Sequence, residues 1–259
     1  MVDLQYIRKR KRRRIIAAVG TSCAATALIF IAIALLGQRA APLTVTLTNS
    51  GAQLALSTKE EEESNAVYLV ADAVPRYDEF CEEQLILANN ELEIDDENTY
   101  SHLTPNEQST LFFKYTFYVT NKGRSAANYD LTLSMSQPTK DATNRYDLDS
   151  VLRVRFYENK NLDEHNYVTY AKKSSEPHRD ENGELSWKEK VSAIDESGYA
   201  EEFVNSRTVL TSTVTDLKPS EKVRYTFVFW IEGDDPQCMD EAPVNSALIL
   251  GVDISAHES

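Results

Sequence analysis

The sequence predicts a mainly β protein: an N-terminal transmembrane helix followed by an antiparallel β-sandwich of the jelly-roll or immunoglobulin-like kind. Three observations predict it. Ile15 to Leu36 is a run without a single charge, about 33 Å long as a helix and so long enough to cross a bilayer core. Beyond it, short segments alternate apolar and polar side chains with a period of two, the pattern of half-buried strands. Turn residues separate those segments and no regular helical crossover intervenes, which favours antiparallel pairing.

The apolar run is oriented by its flank. Arg8, Lys9, Arg10, Lys11, Arg12, Arg13 and Arg14 all precede it, and cations collect on the cytoplasmic side of spanning helices. The expectation is a basic cytoplasmic tail over 1–14 and a signal-anchor helix over 15–36. A short linker over 37–42 and an extracytoplasmic domain over 43–259 follow. The basic tail also suits anionic lipid headgroups. A cleavable signal peptide is the alternative, and it would make the domain secreted. Its apolar region is usually shorter, and Gly37-Gln38-Arg39-Ala40-Ala41-Pro42 offers no pair of small residues at −3 and −1.

The chain carries a net charge of −14, and its densest cation run lies before the apolar stretch. The outer domain is therefore more acidic than the whole, which argues against nucleic acid as a partner. None of the asparagines beyond residue 40 lies in an Asn-x-Ser/Thr sequon, in keeping with a bacterial envelope.

Leu43 to Thr48 alternates apolar and hydroxyl residues and reads as the first strand. Asn49-Ser50-Gly51 is a turn, and Gln53 to Ser57 a second strand. Lys59 to Ser64 is a charged, solvated loop. Residues 66–72 suggest a short strand. From Pro75 to Gln108 the pattern dissolves, with a short helix suggested over 82–89. The clearest hairpin joins Leu111–Thr120, with Phe113, Tyr115, Phe117 and Val119 on one face, to a return strand carrying Tyr129, Leu131, Leu133 and Met135. Asn121-Lys122-Gly123-Arg124 is its turn.

Leu152, Val154 and Phe156 alternate with Arg153, Arg155 and Tyr157, and Asn166 to Lys172 reads as the partner strand. Ser174 to Glu184 is surface, and Trp187 to Ser197 could be a short helix. Arg207 to Val214 is a strand and Leu217 to Glu221 a turn. Lys222 to Ile231 is apolar on both faces, which places it centrally in a sheet. Ala247 to Ser255 closes the domain.

Several strings together resemble exported proteins of Gram-positive bacteria and their wall-less relatives: Phe113 to Asn121, Val151 to Tyr157 with Tyr170-Ala171-Lys172, and Val223 to Cys238, of which Trp230 to Cys238 (WIEGDDPQC) is the most specific. More distantly, the Asn-x-Gly turn and the Leu-x-Pro-Ser-Glu turn are similar to the TasA/camelysin group. That resemblance implies a jelly-roll-like sandwich contributing to surface fibres and biofilm matrix. The protease label attached to some camelysin-like proteins does not carry over, because His-Glu-x-x-His is absent.

Catalytic signals are weak. His102, His165, His178 and His257 are scattered rather than spaced for zinc, and nucleophile-elbow, Walker and dinucleotide motifs are missing. Glu232, Asp234 and Asp235, on a tight turn, are the candidates for Ca²⁺, against a plainer role in capping that turn. No other cofactor is expected. Cys81 and Cys238 could form one disulfide if the domain is exported. The expectation is a non-enzymatic, membrane-anchored envelope protein that presents an acidic interaction domain to a protein partner at the cell surface. The alternatives are a released fibre or matrix subunit and a metal-dependent hydrolase.

Overall fold

In a computed structural model, the chain divides into two compact units, residues 1–40 and 41–259. The structure describes residues 43–48, 54–71, 79–80, 100–103, 110–139, 141–159, 167–175, 177–179, 182–191, 198–239, 243 and 245–257. The basic tail, the run from Ile15 to Leu36, Cys81 and the helix suggested over 82–89 lie outside them. Among the described residues no helix is long and apolar enough to cross a membrane.

The second unit is mainly β. Its strands are β1 (Leu43–Thr48), β2 (Leu54–Ser57), β3 (Tyr68–Val70), β4 (Glu79–Phe80), β5 (Tyr100–Leu103), β6 (Thr110–Asn121), β7 (Ala127–Met135) and β8 (Leu152–Asn159). They continue as β9 (Tyr167–Ala171), β10 (His178–Arg179), β11 (Leu185–Ser186), β12 (Glu201–Glu202), β13 (Thr208–Leu217), β14 (Lys222–Glu232) and β15 (Leu250–His257). A single-turn helix, α1 (Pro236–Met239), follows β14.

One sheet runs β13-β7-β15-β1-β3; a second runs β12-β9-β8-β14-β6-β2, with β4 beside β14 and β5 beside β6; and β10 pairs with β11 in a separate two-stranded ribbon. The pairing is mostly antiparallel, as the sequence predicts. Three pairs depart from it: β1 with β15, β9 with β12 and β14 with β4 are parallel.

One expectation fails outright. β6 and β7 form no hairpin: β6 pairs with β14, β2 and β5, while β7 pairs with β13 and β15 in the other sheet. Their turn is an arch between sheets. Both strands carry an apolar face, and those faces meet across the core instead of lying side by side. Asn121 shapes this turn. Its Oδ1 accepts from Gly123 N at 2.8 Å, and its Nδ2 donates to Leu217 O at 2.8 Å, tying the arch to the end of β13.

Two smaller expectations also shift. β2 is buried at all four residues rather than alternating. Trp187 to Val191 is irregular, with a bridge from Lys190 to Tyr199 in place of a helical turn. β14 is central as expected, flanked by β6 and β8, and all but its first residue are buried.

One core lies between the sheets. Val45, Leu131, Leu133 and Ile254 from the first meet Phe117, Phe156, Phe227 and Phe229 from the second. The rings interlock, with Phe156 and Phe227 at 5.0 Å and Phe117 and Tyr225 at 5.4 Å, the spacing of favourable aromatic pairs. The hydroxyls of Tyr129 and Tyr225 meet at 2.7 Å and link the sheets; burial pushes both up from their usual pKa. The sandwich thus has two ends. Leu43, Leu250, Met135, Thr208 and the exit of β14 mark the near end; the turns over 121–126 and 217–222 mark the far end.

Candidate functional site

The WIEGDDPQC string forms the most elaborate polar arrangement among the described residues. β14 delivers Trp230 and Glu232 to the outer face of the larger sheet, a turn follows, and α1 folds Gln237 back. Glu232 accepts from Trp230 Nε1 at 2.9 Å and from Asp234 N at 3.4 Å. Asp235 accepts from Gln237 N at 2.8 Å and from Arg153 Nη2 at 2.7 Å. Arg153 comes from β8, the strand paired with β14, and its Nε also donates to Lys190 O at 3.3 Å. Glu189 completes the group: its Oε1 accepts from Gln237 Nε2 at 3.0 Å, and its Oε2 lies 4.0 Å from Arg153.

Every principal member is buried: Arg153, Glu232, Asp235, Glu189 and Gln237 are all at most 5% exposed. Burial penalises the charged carboxylate and pushes Glu189 up to about 7, aided by the nearby Asp235 charge and opposed by Arg153. Burial likewise raises Glu232 to about 7, opposed by the Trp230 hydrogen bond and by Arg153. The Oε1 of Gln237 has no hydrogen-bond partner among the described residues.

The three sequence-nominated acids are therefore on one turn, but each serves the turn differently. Glu232 holds Trp230, Asp235 holds Arg153 and starts α1, and Asp234 is half-buried. Among the described residues no group of three His, Cys, Asp or Glu side chains converges as a metal-ion set. Arg153 and Glu189 are the members that sequence reasoning missed. The signal available was the Arg-x-Arg alternation in β8, whose second arginine, Arg155, is sandwiched 4.1 Å from the Tyr167 ring and 5.4 Å from Trp230.

Cys238 is buried in α1. β4, which directly precedes Cys81 in the chain, pairs with the last residues of β14, Glu79 opposite Ile231 and Phe80 opposite Glu232.

A second feature lies where the sheets gape between β9 and β13. It is a half-open cleft of about 510 Å³ lined by Phe156, Glu158, Tyr167, Val168, Tyr170, Thr211 and Ser212. Ser212 Oγ donates to Glu158 at 2.6 Å, so the cleft joins aromatic walls to one carboxylate and hydroxyls. That composition suits binding by stacking and hydrogen bonds.

No protein-family model and no curated protein matches the chain.

Proposed function

We propose that this is a non-enzymatic protein of the bacterial cell envelope, anchored by Ile15 to Leu36 with its N-terminus cytoplasmic. On this reading residues 43–259 form an acidic interaction domain outside the cell. One observation carries the proposal: seven consecutive cations directly precede the longest uncharged apolar run of the chain. The β unit agrees with it. Its most distinctive acidic string is taken up in internal hydrogen bonds, while the cleft beside β9 offers a surface for a partner. Strands cross between sheets at several points, among them β1 to β2, β6 to β7, β7 to β8 and β13 to β14; the jelly-roll-like class and the likeness to the TasA/camelysin group belong to the same proposal.

Fractionation of cells carrying a C-terminally tagged chain tests the anchor. The full-length chain is expected in the membrane fraction. A shorter species in the medium would overturn the anchor and favour a released fibre or matrix subunit. A Tm unchanged by millimolar Ca²⁺ or by chelator is expected if Glu232, Asp234 and Asp235 serve the turn alone, whereas an upward shift with Ca²⁺ would assign them a metal.

A Cys81–Cys238 bridge belongs to the same proposal. It would close a loop worth roughly 5 kcal/mol in the chain-entropy picture. Thiol titration of the denatured exported chain without and with reductant should show two additional thiols after reduction.

A further inference from the structure

The exposed large apolar side chains are unevenly placed. Val70 (51% exposed), Val204 (57%), Met239 (70%) and Ile249 (39%) all belong to the near end of the sandwich. Val70 sits opposite Thr44 of β1, Ile249 directly precedes β15, and Val204 is bonded to Val209 where β13 starts. Met239 ends α1, just past β14. Trp187, 43% exposed, joins them: its carbonyl accepts from Ser174 N, three residues past the end of β9. Lys173 Nζ lies 5.8 Å from the Trp187 ring.

The far end differs. Both ends expose charges, Glu60, Glu61, Lys122 and Lys218 at this one and Lys188, Glu201, Glu202 and Arg207 at the other, but none of the large exposed apolar residues falls in 58–65, 121–126 or 217–222. The others lie elsewhere: Val67 and Tyr68 at the edge strand β3, Tyr167 and Val168 on β9 beside the two-residue β12, and Leu185 on β11.

We infer that the near end of the sandwich rests on the lipid bilayer, with Trp187, Val204, Met239 and Ile249 at headgroup level. The inference rests on the anchored reading and deepens it. Six residues, 37–42, separate the apolar run from Leu43, and six extended residues reach about 20 Å at most. The end at which β1 begins is therefore held close to the membrane surface. Apolar residues clustered on a soluble domain mark an interaction surface. Tryptophan beside a long cationic side chain is the combination that partitions to the bilayer interface, ring at the headgroups and amine in water.

The chain supplies its own reporter. It has two tryptophans; Trp230 is fully buried and Trp187 is exposed. The experiment places the full chain in vesicles of phosphatidylcholine and phosphatidylglycerol, with the phosphatidylcholine brominated near the top of its acyl chains. Emission is compared with that in unbrominated vesicles. Loss of the Trp187 component is expected, while Trp230 emission survives. Trp187→Phe should abolish the bromine-sensitive fraction, and Val204→Trp added to that background should restore it. A chain that floats with the vesicles yet emits equally in both lipids overturns the inference and leaves the end to a protein partner. A chain that fails to float overturns the anchor itself.

Discussion

The two sheets of the sandwich turn very different outer faces away from the same core. On β1, β7 and β15 the outward positions include Thr44, Thr46, Thr48, Asn128, Asp130, Thr132, Ser134, Asp253 and Ser255, half-buried in alternation with the core residues, and His257, which is exposed. Their bonds run between side chains on adjacent strands: Thr48 Oγ1 donates to Asp253 at 3.0 Å and Thr213 Oγ1 to Asp130 at 2.6 Å. On β6, β8 and β14 the outward positions include Lys114, Thr116, Arg153, Arg155, Arg224, Thr226 and Trp230, and every one is buried. Alternation thus fixes which way a side chain points. It does not fix whether water is there to meet it. A face that looks outward and is nevertheless buried must supply partners for its charges, and the Arg153, Asp235 and Glu189 group is how this one does so.

The comparison is broken most severely at Arg153. Arg153→Ala leaves Asp235 buried without its cation, and a loss of about 3–5 kcal/mol in urea unfolding is expected. A loss near zero would mean that water reaches this face after all.

Next in size is a pH effect. Glu189 and Glu232 have folded pKa values raised from 4.5 to about 7, so between those values the folded state binds more protons than the unfolded one. Stability contributed by these protonated groups is complete below about 4.5 and is lost as pH rises through about 7, at up to roughly 3 kcal/mol per group. Tm should therefore be higher at pH 5 than at pH 8. The double variant Glu189→Gln, Glu232→Gln should flatten that difference; an unchanged pH profile would show that neither carboxyl is shielded.

The smallest effect belongs to the other sheet. Thr132→Ala, at a half-exposed outward position of β7, should change stability by no more than about 0.5 kcal/mol, measured by the same unfolding. A change as large as that at Arg153 would erase the distinction between the faces.

Strand positions were legible because each inner face is apolar at every second residue, and β14 read as central because Val228 and Trp230 add apolar groups to its other face. Strand partners were less legible. The apolar face of β6 carries the same pattern whether its neighbour in the chain pairs beside it or packs across the core, so the arch at Asn121 read as a hairpin. β4 and β5 are two and four residues long, and periodicity cannot register so few residues. At the site, Glu232, Asp234 and Asp235 stood out as an acidic turn. What decides their chemistry is Arg153 and Glu189, brought in from 82 and 46 positions away from Asp235, and long-range partners leave no local trace.

The parallel register of β1 and β15 bears on how the domain carries tension. Six residue pairs join them, from Leu43 opposite Leu250 to Thr48 opposite Ser255. A pull on the leading residue of β1 against a load on the trailing end of β15 acts along both strands in opposite directions. All six rungs are then sheared at once, whereas a hairpin pulled from its open end peels one rung at a time. The outermost β3 and the inner β7 flank this clamp on either side. A domain so threaded resists being unravelled from its first strand.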